Sequence, residues 1–140
     1  MPLLEVKNLH TFFTTKKGIV KAVNDVSYTL EAGKTIGIVG ESGSGKSVSA
    51  MSILQLLDGN GYIESGEILL DGIDLTKLST KEMCHIRGND ISVIFQEPMT
   101  SLNPVFTVHP CLRRRRQPPD ERRLVVCVGR GEPACRRILQ

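Results

Sequence analysis

The sequence predicts an α/β fold in which an antiparallel β portion packs beside a partial central sheet. Three observations predict it. Alternating apolar residues open the chain, a nearly continuous apolar run occupies residues 35–39, and a glycine-rich stretch then leads into a helical pattern. In order, Leu4, Val6 and Leu9 mark a first strand, followed by a loop at Thr14-Thr15-Lys16-Lys17-Gly18. Val26-Ser27-Tyr28-Thr29-Leu30 alternates as a half-buried strand does, and Glu31-Ala32-Gly33-Lys34 reads as a turn. Thr35-Ile36-Gly37-Ile38-Val39 suits a central strand covered on both faces.

From Lys46 the period changes to that of a helix, with Val48, Met51, Leu54 and Leu57 on or near one face. Asp58-Gly59-Asn60-Gly61 supplies residues that tolerate positive φ and is expected to end it. Residues 66–70 read as a strand, and Asp71-Gly72 as a tight turn. Ser79 followed by Glu82 forms a capping-box pair for a short helix through about Arg87. Ile91-Ser92-Val93-Ile94-Phe95 reads as a further strand, ending at Gln96.

Composition narrows the classes. With 140 residues the chain is one domain or part of one. Hydrophobic residues make up 40% and charged residues 24%, which fits a globular chain and excludes collagen or a wholly disordered protein. Apolar stretches are far shorter than the ~20 residues a membrane-spanning helix needs. The start, Met1-Pro2-Leu3-Leu4-Glu5, lacks a basic region and a long apolar region, so a cytoplasmic location is expected.

The net charge of +3 is unevenly distributed. Residues 1–110 hold eight Lys and one Arg against twelve acids, a net of −3. Residues 111–140 hold nine Arg and no Lys against three acids, a net of +6. A nucleic-acid partner is therefore not expected for the main body. Cys84, Cys111, Cys127 and Cys135 form no CxxC pair, and His10, His85 and His109 add no zinc spacing, so reduced thiols are expected.

Gly40-Glu41-Ser42-Gly43-Ser44-Gly45-Lys46-Ser47 matches the P-loop pattern G-x-x-x-x-G-K-[ST]. Polyphosphate needs many donors close together without bulky side chains. Glycines let the backbone turn sharply and bring its N–H groups to the phosphate oxygens. The following helix points unpaired N–H groups and the positive end of its dipole at the same anion. Lys46 would add a charge toward the β- and γ-phosphates, and Ser47 a hydroxyl to Mg²⁺. Gln96 stands at the carboxyl end of a predicted strand, where α/β sheets collect ligands. There it would offer its amide oxygen to Mg²⁺ and its NH₂ to a water; an ordinary polar strand terminus is the alternative.

These residues resemble the ATP-binding subunits of ABC transporters, in the dipeptide/oligopeptide importer branch. The resemblance covers about residues 3–108. It rests on Ala22-Val23-Asn24-Asp25-Val26-Ser27-Tyr28, the Walker A element at residues 40–47, Ser65-Gly66-Glu67-Ile68 leading to Asp71-Gly72, and the Q-loop-like Ile94-Phe95-Gln96-Glu97-Pro98-Met99-Thr100-Ser101-Leu102-Asn103-Pro104. It implies the N-terminal part of a P-loop ATP-binding domain. It also implies ATP and Mg²⁺ as ligands, two membrane-spanning subunits and a second ATP-binding subunit as partners, and a peripheral place on the inner face of the cell membrane. Gln96 becomes the sensor of Mg²⁺ and the attacking water, and residues 97–108 a transmission surface.

The sequence also departs from the family. Many members stack an aromatic on adenine just before the glycine that corresponds to Gly18, where this chain has Lys17; Phe12 and Phe13 are nearby, with core roles equally open. No Leu-Ser-Gly-Gly-Gln signature, Walker B strand, D-loop or switch histidine is found, so no catalytic residue is assigned. The expected division is a partial ATP-binding domain at 1–109 and an Arg-rich unmatched segment at 110–140.

Arg113-Arg114-Arg115-Arg116-Gln117-Pro118-Pro119 has neither period, and Leu124-Val125-Val126-Cys127-Val128 reads as a strand without an obvious partner. This segment is expected to be poorly ordered. It is read either as a basic arm or as the product of a truncated or shifted reading frame. The importer subunit is the first functional expectation. A catalytically inert remnant or interaction module with weak Mg-ATP binding is the alternative, and a nucleic-acid-binding P-loop protein is a third. Open strand edges and exposed apolar surface are expected to leave the chain marginally stable.

Overall fold

The computed structural model describes residues 2–94 and 124–127. Its largest unit is a four-stranded antiparallel sheet in the order β2-β1-β3-β4. Strand β1 (Pro2–Thr15) and strand β2 (Gly18–Glu31) form a long hairpin, turning at Lys16 and Lys17 with Thr15 opposite Gly18. Strand β3 (Gly61–Leu70) pairs with the other edge of β1, and β4 (Ile73–Asp74) returns along β3. Asp71 and Gly72 both have positive φ, +47° and +83°, matching the two-residue hairpin expected there.

Ladder irregularities interrupt β1 between Val6 and His10, and all three long strands contribute to them. Asn8 and Asp25 carry positive φ, and the Asn8 side-chain amide donates to the Asp25 carboxylate at 2.9 Å. Opposite them, Gly66 has φ +107°; a Cβ there would lie 2.6 Å from the Asn8 carbonyl oxygen. No side chain fits between the two strands at that point, so the bulge depends on glycine.

The helix predicted from Lys46 is present as α1 (Lys46–Ile53). It ends one turn before the expected Asp58-Gly59 stop, because Gln55 takes φ +51° and leaves the helical region. A 3-10 turn (Leu75–Lys77) and α2 (Thr80–Ile86) follow. In the capping box of α2, the Ser79 N–H donates to the Glu82 carboxylate at 2.7 Å. Strand β5 (Ile91–Ile94) pairs in parallel with β6 (Leu124–Cys127) in a second, two-stranded sheet. The core joins Leu4, Val6, Leu9 and Ile68 of the large sheet to Leu54, Met83, Ile91 and Leu124.

Two expectations are corrected. Residues 35–39 form no strand: they lie outside every ladder, with Ile38 49% and Val39 96% exposed. The apolar run supplies β propensity, but a strand exists only where neighbours complete its hydrogen bonds. Among the described residues none offers it an edge. Conversely, Leu124–Cys127 does have a partner, because the open edge of β5 accepts it residue for residue. The remainder of the segment from 110 to 140 lies outside the described residues.

Candidate functional site

The P-loop residues lead from the irregular segment 34–40 into α1 and lie against β2 at Ala22. Gly45 is the N-cap of α1 with φ +86°, and a Cβ on it would lie 2.2 Å from the Ala22 carbonyl oxygen. Such a contact is impossible, so glycine lets the loop press against β2 and fixes where α1 begins. Ser49 N–H donates to Gly45 O at 2.8 Å, closing the first helical turn. No side chain caps this terminus and no acid stands in its first turn, an arrangement that suits an anion at its N–H groups and positive dipole end.

Lys46 is folded into the loop. Its Nζ donates to Gly40 O at 2.6 Å, to Glu41 O at 2.5 Å and to Ser44 Oγ at 3.1 Å. The ammonium is thereby satisfied by the loop's own oxygens, and a phosphate must compete with them. Ser44 N–H donates to Glu41 O at 3.2 Å, and Gly43 takes φ +83°. Glu41, Ser42, Gly43, Ser44 and Ser47 are exposed. The structure thus gathers all eight P-loop residues, and the donor set suits a magnesium-bound polyphosphate. Gln96 lies outside the described residues; the described part of its strand ends at Ile94.

The seat of α1 was not legible from its motif. Thr11 Oγ1 and Ser52 Oγ share a buried hydrogen bond at 2.8 Å, and Ser52 also donates to Val48 O at 2.8 Å. At the other end, the Arg87 guanidinium donates to Leu54 O at 2.8 Å and to Gln55 O at 3.0 Å. A cation therefore caps the carbonyl end of the helix whose amide end carries the P-loop. The available signal was that Arg87 is the lone arginine of residues 1–110. Gln55 Nε2 also donates to Leu75 O. A shallow concavity of about 470 Å³ lies near this end of α1, lined by Gln55, Ile63 and Thr76 among others, and does not include the P-loop.

Of the aromatics considered for adenine, Phe12 stands edge-on to Tyr62 and His10 with Lys21 Nζ 5.5 Å from its ring centre. Phe13 packs on Gly61, where a Cβ would meet its ring at 2.6 Å. Both rings have structural partners. No three His, Cys, Asp or Glu side chains gather into a metal site among the described residues.

A family model described as ABC transporter matches residues 23–125. The chain belongs to the ABC transporter family. It is 52% identical over 107 residues to the oligopeptide transport ATP-binding protein OppD of Haemophilus influenzae, covering 76% of this chain and 33% of that protein. It is 52% identical over 106 residues to the dipeptide transport ATP-binding protein DppD of Lactococcus lactis subsp. cremoris, covering 76% and 30%. The chain thus spans about a third of the length of the curated relatives it matches. A solved dimeric structure of the ATP-binding cassette MJ0796, in a post-hydrolysis state bound to ADP and Pi, shares the fold. Its TM-score is 0.63 at 24% identity, over 85% of this chain and 52% of that one. No described helix is long and apolar enough to cross a membrane.

Proposed function

We propose that this chain is the phosphate-gripping part of an ATP-binding subunit of a peptide importer. The observation that carries the reading is Gly45 pressed against Ala22 at the uncapped start of α1, with the Lys46 ammonium in the same loop. In this reading residues 40–47 hold the phosphates of ATP. Backbone N–H groups of the loop and of the first turn of α1 donate to the phosphate oxygens. Lys46 would exchange the carbonyls of Gly40 and Glu41 for the β- and γ-phosphates, and the Ser47 hydroxyl and Gln96 would hold Mg²⁺. Bound Mg²⁺ would neutralise charge on the phosphate oxygens.

Turnover needs more than this grip, because a group must also position the attacking water. Among the described residues no carboxylate or histidine belongs to the loop's hydrogen-bond set except Glu41, which contributes its backbone carbonyl. Mg-ATP binding without substantial hydrolysis is the expected behaviour. We take residues 1–109 as the ATP-binding part and residues 110–140 as a basic segment, of which Leu124–Cys127 joins the core of the first. In this reading membrane-spanning subunits and a second ATP-binding subunit are the partners, and the chain sits on the inner face of the cell membrane through protein contacts; the relatives' names as transport ATP-binding proteins support it. No nucleic acid is assigned.

Isothermal titration with Mg-ATP and with a non-hydrolysable analogue tests the reading. Saturable heat from both nucleotides is expected, lost in Lys46→Ala, with ATP turnover no faster than that variant's. A folded chain that gives no heat at millimolar nucleotide rules the reading out.

A further inference from the structure

We propose that β6 is a built-in edge guard. Leu124–Cys127 occupies the ladder along β5 that a strand of another molecule would otherwise take, and so keeps copies of this chain from associating edge to edge. This goes beyond nucleotide binding and gives a fold role to part of the basic segment.

The pairing is in register over four consecutive residues: Ile91 with Leu124, Ser92 with Val125, Val93 with Val126, and Ile94 with Cys127. It begins with Leu124 N–H donating to Asp90 O at 2.9 Å. The contact is also apolar. Ile91 and Leu124 are 0% and 4% exposed and belong to one core, and Val93 and Val126 pack against it. The opposite side of β5 is partly occupied at its start, where Gly88 N–H donates to Ile91 O at 2.7 Å. Removing β6 therefore opens a short apolar, mostly β-branched strand, a ready template for pairing with another chain. The sequence places Arg122 and Arg123 immediately before β6, and charges flanking an apolar strand discourage pairing in series.

The ladder makes the proposal testable with two nearly identical substitutions. Since Leu124 N–H points at β5, alternation points Val126 N–H at β5 and Val125 N–H away from it. Proline at 126 removes a ladder donor, whereas proline at 125 removes a donor on the edge that no described strand pairs, where proline is tolerated. On β5, the same geometry turns the Ser92 and Ile94 amides toward β6 and the Ile91 and Val93 amides away.

The experiment uses the full chain. Val126→Pro should raise amide exchange at Ser92 and Ile94 roughly tenfold and show concentration-dependent association by sedimentation velocity. Val125→Pro should match the parent in both readouts. Equal behaviour of the two variants, or a monomeric Val126→Pro, overturns the proposal. Should Val126→Pro lose its fold by circular dichroism, a paired variant decides. Ser92→Cys with Val125→Cys places two thiols at register partners, within the roughly 4.4–6.8 Å Cα span of a disulfide. The oxidised form should carry that bridge within one chain by mass mapping and sediment as a monomer. A bridge found only between chains, or association of the internally bridged form, counts against an edge guard.

Discussion

Arg87→Met tests how the phosphate-binding helix is held. The guanidinium donates to two carbonyls at the end of α1, Leu54 O at 2.8 Å and Gln55 O at 3.0 Å. Their surroundings differ. Leu54 is 2% exposed, whereas Gln55 is half-buried. With methionine at 87, water reaches the Gln55 carbonyl more readily than the Leu54 carbonyl. An acceptor left buried and unpaired costs about 1–3 kcal/mol, and an ordinary hydrogen bond lost to solvent about 0.5–1.5 kcal/mol. The favourable charge at the helix C-terminus adds about 0.3–1 kcal/mol. Methionine keeps part of the apolar stem, so the packing change is small. Together these come to about 2–5.5 kcal/mol of destabilisation. Urea unfolding followed by circular dichroism reads it as a lower midpoint at unchanged slope. Arg87→Lys retains the charge but lacks the planar fork, so it should fall between parent and Met. A Met variant within about 0.5 kcal/mol of the parent, the ordinary range of surface substitutions, would refute the capping argument.

Three further outcomes follow from the geometry. Gly45→Ala forces a Cβ toward the Ala22 carbonyl, 2.2 Å away, in a φ +86° conformation; the loop should shift off β2, and calorimetric Mg-ATP binding should disappear while the β-sheet signal persists. Ser52→Ala should destabilise by about 1–3 kcal/mol by stranding the Thr11 hydroxyl, Thr11→Val by only about 0.5–1.5 kcal/mol because Ser52 keeps its bond to Val48 O, and the double variant should cost less than their sum in a double-mutant cycle. Hydrogen bonds from the Ser79 hydroxyl and backbone hold the Glu82 carboxyl below its ordinary value of 4.5. Burial pushes Asp74 up, but Lys77 and Thr76 outweigh it and hold it low. Both contributions are present above the ordinary carboxylate range and are lost as pH falls through the depressed folded values. Thermal stability should therefore drop below about pH 4.5, and less steeply in Glu82→Gln, whose amide keeps the capping box without titrating.

Local chemistry made some of the molecule legible and left the rest hidden. The capping box at Ser79 and Glu82, the Asp71-Gly72 turn and the start of α1 were readable because each is decided within a few residues. The apolar run at 35–39 shows the opposite. Its composition is that of a buried strand, yet Val39 is 96% exposed, because burial needs neighbours that composition does not specify. Leu124–Cys127 has the same kind of composition and does become a strand, since β5 offers it an edge. The difference between these two runs lies in the available partner. The P-loop belongs to both categories: its glycines announce a phosphate grip in the sequence, whereas the contacts that aim the grip, from Ala22, Thr11 and Arg87, come from residues far along the chain. A motif therefore predicts which atoms can meet a phosphate. Whether they are held ready for it depends on the sheet and on the cation at the far end of the helix, and that is why Arg87→Met and Gly45→Ala should be read together.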